Sequence, residues 1–424
     1  MSTMSYYDLN NIEKFSELLN CKNKEEENEI LKVLNLKMST INYKNGQTYK
    51  LAKYQKEYLC EDKINTFGLL RSVIFKNGKI MCFAPPKSHV SKNLVINNDN
   101  NNNNYFMEHF IEGTMINVFY DSDSSTWEIA TRSNIGGDIS FYMEKGWNKE
   151  FTFRSMFEET CRNINLDINN LNKEYVYSFV MQHKKNRIVK PIKENRLYLA
   201  EIYKIDGLKI YTIGINDING ENNLYGFANS KIQIIKRIRI VDDRHLNTLK
   251  QTNASMNTPY YIMGMVIKDS FGKRYKFRNP NYETVKKLRG NNPKLQFQYL
   301  KLRQAGMVGE YLKFYKEHRE LFNEFRGLIH NYTQTLYENY IKCYIKKEKE
   351  LREFPEKFKT HMYCIHHNLY LPNLMPEKKI VNKQVVIDYF NNLEASKQMF
   401  ILNYDLRKNT DQNKREEEIK VESS

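Results

Sequence analysis

The apolar positions change their spacing as the 424-residue chain proceeds. Between 5 and 36, Leu9, Ile12, Phe15, Leu18 and Leu19 recur at helical intervals, and a charged face at Glu25–Glu29 precedes Ile30, Leu31, Val33 and Leu34. This predicts an N-terminal helical segment over 1–40. From Tyr43 to Val90 the pattern shortens to strand lengths, punctuated by Gly46, Gly68 and Gly78. Phe67–Phe75 and Ile80–Phe83 flank Lys76-Asn77-Gly78-Lys79, a hairpin around an Asn-Gly turn, and Pro85-Pro86 stop the pairing. The Asn-rich run at 97–104 reads as a solvated loop. Phe110–Ile116 and Trp127–Gly137, joined by a turn at 121–125, predict two antiparallel strands. The first would carry one acid, Glu112, beside Gly113, where a ligand can approach the backbone closely.

A helix over Phe153–Asn163 follows, then strands at Tyr175–Gln182, Leu197–Ile205, Gly207–Asn216, Tyr260–Lys268 and Tyr275–Phe277. Helical spacing returns after 281. Leu321, Phe325, Leu328, Tyr332, Leu336, Tyr340 and Tyr344 form one stripe on a long helix, and a second helical block covers 383–402. The charged tail, 406–424, is expected to be disordered. The plan is thus α+β: a mixed body over 41–285 and an all-α C-terminal domain over 286–405.

Composition changes this picture only at the level of partners. The formal charge of +16 favours a polyanion, although the abundance of Lys, Asn, Ile and Tyr also suits an AT-rich genome. Six scattered cysteines without metal-ligand spacing suit a reducing compartment. No stretch approaches the ~20 apolar residues of a membrane span, so no membrane partner is expected. His361, Cys364, His366 and His367 lie close in sequence, but no second ligand pair accompanies them, and no metal site is expected.

The chemistry-bearing pattern is cationic. In Gly272-Lys273-Arg274-Tyr275-Lys276-Phe277-Arg278, a strand places Arg274, Lys276 and Arg278 on one face and Tyr275 and Phe277 on the other. One face could hold phosphates while the other packs. Lys286, Lys287 and Arg289 continue the charge, and with Lys273 and Arg274 they are candidate RNA-binding residues. Arg132, with Ser133 before Gly136-Gly137, could line a nucleotide pocket or simply end a hairpin.

Read in order, four segments resemble the nucleotidyltransferase core of the phage T4 RNA ligase 1-like family. They are the hairpin ending in Pro86-Lys87-Ser88; Glu112-Gly113-Thr114; Phe179–Val189 with its Asn186-Arg187-Ile188-Val189; and Met263–Ile267 with Tyr275–Tyr282. The resemblance spans about 45 to 300, and the whole chain looks most like RNA ligases attributed to large nucleocytoplasmic DNA viruses. It implies an RNA-ligase (ATP-grasp-like) nucleotidyltransferase fold with an antiparallel-sheet core. It also implies ATP and Mg if the protein is active, and an RNA partner, tRNA being the usual one. Such ligases attack ATP with a lysine amine, move AMP to an RNA 5′-phosphate and then join the strands.

The chain departs from that pattern at the chemical positions. Phe110 stands where the family has its lysine, and Val180 and Met263 stand where it has acids. Glu112, Arg132, Lys276 and Arg278 remain as nucleotide-binding candidates, and Lys87 as a displaced nucleophile. Three readings follow: an RNA-binding pseudo-ligase, an active ATP-dependent RNA ligase with a displaced lysine, or a structural or virion interaction module. The expected location is intracellular, in host cytoplasm, with packaging in a virion as an open alternative.

Overall fold

The Asn-Gly turn forms as its chemistry requires: Asn77 (φ 50°) and Gly78 (φ 76°) both take left-handed backbone, the geometry of a tight two-residue hairpin turn. The computed structural model containing it describes residues 5–43, 46–90, 94, 96, 104–140, 151–214 and 226–409. The Asn run over 97–103 and the tail from 410 lie outside the described residues. Two compact units divide the chain, the first ending at Lys287 and the second continuing from Leu288.

The N-terminal segment is not wholly helical. Strand β1 (Tyr6–Asp8) precedes helices α1 (Phe15–Asn20) and α2 (Lys24–Val33). The two helices separate because the Asn23 side chain accepts the Glu25 N–H and caps α2. Strands β2 (Leu36–Asn42), β3 (Thr48–Tyr54), β4 (Val73–Lys76) and β5 (Lys79–Phe83) make a four-stranded antiparallel sheet in chain order. Phe67–Leu69, expected to be strand, forms a 3-10 turn instead.

The next strands are β6 (His89–Val90), β7 (Tyr105–His109), β8 (Thr114–Asp121), β9 (Thr126–Ala130), β10 (Tyr175–Gln182), β11 (Arg196–Asp206), β12 (Lys209–Thr212), β13 (Gln233–Ile234), β14 (Arg237–Ile240), β15 (Gly264–Lys268) and β16 (Arg274–Arg278). A seven-stranded sheet has the order β1-β12-β11-β10-β8-β9, with β13 beside β11; a five-stranded sheet has the order β14-β7-β15-β16-β6. Helices α3 (Phe153–Asn163), α4 (Asp243–Asn253) and α5 (Pro280–Arg289) accompany them.

One expected strand is broken, and the break positions the site. Phe110–Ile116 does not run as a single element. The chain leaves the five-stranded sheet at His109 and enters the seven-stranded sheet at Thr114. Phe110 donates its backbone N–H to the Gly264 carbonyl of the first sheet (3.0 Å). Two residues on, the Glu112 carbonyl accepts from the Gln182 side chain of the second (2.8 Å). Phe110–Gly113 is therefore a crossover tied to both sheets, and Glu112 lies on it rather than on a strand.

Separate apolar clusters support these layers. Ile116, Val118, Phe157, Phe179, Leu197 and Leu199 pack between the seven-stranded sheet and α3. Met107, Ile240, Leu246, Met265 and Ile267 fill the space between the five-stranded sheet and α4, with Tyr275 and Phe277 against them.

The second unit contains α6 (Leu295–Gln304), α7 (Val308–Phe314), α8 (Arg319–Tyr340), α9 (Glu356–Tyr363), α10 (Lys383–Asn392) and α11 (Ala395–Leu402). The buried face of α8 is Phe322, Phe325, Ile329, Tyr332, Leu336 and Tyr340; Leu328, expected in that stripe, is exposed. His361 and His366 share hydrogen bonds with the Tyr389 and Tyr340 hydroxyls. Among the described residues no helix is long and apolar enough to cross a membrane.

Candidate functional site

β16 alternates cation and aromatic, and the period-2 backbone sends the two sets to opposite faces. Tyr275 and Phe277 pack on the α4-side core, while Arg274, Lys276 and Arg278 line a cavity of about 470 Å³. The crossover Phe110–Thr114 forms another wall, and Arg71, Arg132 and Lys286 complete a strongly cationic lining.

The centre of this wall is Phe110. The Lys276 amine lies 4.7 Å from its ring centroid, and the Arg278 guanidinium carbon lies 5.7 Å from it. An aromatic face attracts cations and so partly compensates for gathering them there. Burial, with the charges of Arg274, Arg71, Arg278 and Lys87, pulls Lys276 down to about 6. Its accessible surface is intermediate, because what encloses it is a cavity wall and not a packed core.

Arg274 is 8% exposed, and its Nε and Nη1 have no hydrogen-bond partner among the described residues. A buried guanidinium with idle N–H groups normally costs stability. Arg274 itself lines the cavity, so an anion bound there would offset its charge. Arg132 is likewise incompletely paired: its Nε has no hydrogen-bond partner among the described residues, and its guanidinium sits 5.2 Å from the Tyr54 ring centroid.

The carboxylates of the cavity are committed to protein partners. Glu112 is 5% exposed, and its two oxygens accept the backbone N–H groups of Val189 and Lys190 at 3.1–3.2 Å. Burial pushes it above the usual carboxylate range, although those N–H groups oppose the shift. Glu108 pairs with Arg237 and with Lys268, each at 2.8 Å, and Lys268 also pairs with Glu201 at 2.5 Å. Burial raises Glu108, but Lys268 and Arg237 outweigh it and hold the group low. Among the described residues no three acidic, His or Cys side chains gather as a metal cage. The two carboxylates of the cavity lining, Glu108 and Glu112, are both engaged by protein groups.

Gly113 has a steric reason. A Cβ there would lie 2.7 Å from Val180 Cγ1 and closer still to the Met181 carbonyl, so the crossover lies directly against β10. Val180 and Met263 also line the cavity, as apolar wall. Asn186 donates to Thr114 Oγ1 (2.8 Å), and Arg187 folds back onto the Val189 carbonyl (2.9–3.0 Å), which fixes the loop that Glu112 holds.

Glu112, Arg132, Arg274, Lys276, Arg278 and Lys286 therefore come together. Lys87 does not share that lining: it borders a second cavity, of about 330 Å³, with Lys273 and Arg274, and its amine donates to the Ser88 carbonyl (2.8 Å). Lys287 is exposed outside both cavities. Arg289, expected in the basic surface run, is 4% exposed in the second unit and presents little charge to solvent. Sequence reasoning missed Arg71, which follows a 3-10 turn and donates to the Pro85 carbonyl (3.2 Å), and the Glu108–Lys268–Glu201 chain.

No protein-family model matches the chain. The immediate-early protein ICP-46 homolog of Invertebrate iridescent virus 3 is 22% identical over 288 residues, which cover 66% of this chain and 57% of that protein. The chain thus spans less than two thirds of that relative. Among solved structures, an archaeal ATP-dependent RNA ligase is 12% identical, covering 71% of this chain and 70% of its own, with a TM-score of 0.37. A protein of Aquifex aeolicus described as an ATP-dependent DNA ligase is 14% identical, covering 76% and 78%, with a TM-score of 0.38. The Naegleria gruberi RNA ligase with pyrophosphate is 12% identical, covering 59% and 77%, with a TM-score of 0.31.

Proposed function

We propose that the first unit is a ligase-like nucleotide cleft that has kept phosphate binding and lost lysine adenylation, making the protein an RNA-binding pseudo-ligase. The observation that carries this reading is Phe110. The crossover brings it into the cleft, and the residue offers a ring where the phage-type ligase pattern has an amine. Arg274, Lys276 and Arg278 around it supply the charge for a nucleotide's phosphates, and the idle N–H groups of Arg274 supply donors. RNA, with tRNA as the first candidate, is the expected polymer. The viral relative and the AT-rich composition fit a viral chain acting in host cytoplasm.

A second reading is favoured by one observation: burial leaves Lys276 with much of its amine neutral near pH 7, beside Phe110. As a displaced nucleophile, its nitrogen would attack the α-phosphorus of ATP. A P–N bond would form, the P–O bond to pyrophosphate would break, and the amine proton would pass to solvent. Lys87 is the weaker candidate, since it borders the other cavity.

Titration of the full chain with ATP and with pyrophosphate tests the binding claim. Saturable binding that Arg274→Ala weakens at least ten-fold supports a phosphate cleft. Binding that is absent, or unmoved by that substitution, overturns it.

A further inference from the structure

The second cavity lies outside the chemistry derived above, and it is built differently. Its walls carry Lys87, Lys273 and Arg274, and its rim carries two exposed aromatics, Tyr6 (49% exposed) and Phe271 (64%). Phe271 sits in the turn between β15 and β16, and that turn is held rigidly. Asp269 Oδ1 accepts the backbone N–H groups of Phe271 (2.9 Å) and Lys273 (2.8 Å), and the Tyr7 hydroxyl donates to the Gly272 carbonyl (2.8 Å). A large aromatic at a braced turn keeps its exposed face without collapsing onto the protein.

Three basic side chains, Lys87, Lys273 and Arg274, share the lining with one carboxylate, Asp8. That acid is already engaged by the backbone and side-chain nitrogens of Asn10, at 2.9 and 2.7 Å. His89 also lines the cavity; Glu61 stands 3.7 Å from it, and burial lowers its basicity. The independent sign of a ligand is Arg274. It is more than nine-tenths buried, has two idle nitrogens, and borders both cavities.

We propose that this second cavity is a subsite for single-stranded polynucleotide, with Phe271 and Tyr6 stacking on bases and Lys87, Lys273 and Arg274 holding the adjoining phosphates. Cations alone would fit any polyanion. Cations interleaved with exposed rings fit a chain of alternating phosphates and flat bases. Arg274 would then be the point where a strand in this subsite meets phosphates in the cleft. The subsite does not depend on the cleft's chemistry, and its failure is separable from that of the pseudo-ligase reading.

The test is fluorescence anisotropy of the full-length protein with a 5′-labelled single-stranded 12-mer, as RNA and as DNA, with and without saturating ATP. Phe271→Ala is expected to weaken oligonucleotide binding about ten-fold or more, in the range of base–aromatic stacking, and Phe271→Trp to restore it. Lys273→Ala is expected to lower the salt slope by roughly one ion. Neither substitution should change ATP binding. Equal affinity for RNA and DNA would assign recognition to base and phosphate; an RNA preference would add a contact to the 2′-hydroxyl. Oligonucleotide affinity unmoved by both Phe271→Ala and Lys273→Ala, or complete displacement by ATP, would overturn the subsite and leave the cleft reading intact.

Discussion

The Lys276 amine lies 4.7 Å from the centroid of the Phe110 ring, on the wall of the main cavity. Phe110 is held there by a backbone hydrogen bond to Gly264, which pairs with Arg278 at the end of β16. The same sheet contact that fixes the aromatic residue also fixes the cations above it. Phe110 thus supplies a π-face to the cations gathered on that wall.

Replacing Phe110 should therefore destabilise the protein. Phe110→Ala is expected to cost about 1–2 kcal/mol in chemical denaturation, from lost packing and the cation–π contact of Arg278. Added phosphate should recover part of that loss by taking over the neutralising role. A variant as stable as the parent would show that the ring supports nothing.

Proton linkage gives a second expectation. Lys276, lowered to about 6, is mostly neutral at pH 7.5, and a bound phosphate would favour its charged form. Pyrophosphate binding at pH 7.5 should take up protons and weaken as pH rises. Calorimetry in two buffers of different ionisation enthalpy measures the uptake, which Lys276→Met should abolish. Phosphate binding without proton uptake contradicts the assignment.

The same group sets a stability slope. In the unfolded chain a lysine stays protonated up to its ordinary value of 10.5, whereas the folded group has lost its proton above about 6. The unfolded state binds more protons in that window, so this contribution to stability grows as pH rises from about 6 toward 10.5. The ceiling is about 1.4 kcal/mol per pH unit, and solvent in the cavity lowers it. Comparing the pH dependence of unfolding for the parent and Lys276→Met isolates the effect. Identical slopes would contradict it.

Glu112 is expected to act through the loop it holds. Glu112→Ala leaves the Val189 and Lys190 N–H groups without their acceptor and should cost about 1–3 kcal/mol. Glu112→Gln keeps one acceptor oxygen and should cost less. If the two variants match in stability but differ in ATP affinity, Glu112 belongs to the ligand and not to the loop.

Much of the fold was legible because its signals are local. The Asn77-Gly78 turn, β10, α3 and the alternation of β16 each follow from a turn dipeptide or a period. The break at Phe110–Gly113 was not, because its apolar residues continue the pattern of β8 and only pairing partners in two different sheets reveal the crossover. β1 was hidden inside a helical spacing, since its three residues owe their conformation to pairing with β12. In the site, the β16 cations could be read from spacing alone. Arg71 and the Lys268 pairs arise from long-range neighbours, which no local pattern encodes.

The most direct test of the account is whether the protein forms a covalent adduct with AMP. Full-length protein incubated with labelled ATP and a divalent cation, then denatured, is expected to retain no label, while non-covalent ATP binding persists under native conditions. Label that survives denaturation and disappears in Lys276→Ala would contradict the pseudo-ligase account and make Lys276 the nucleophile.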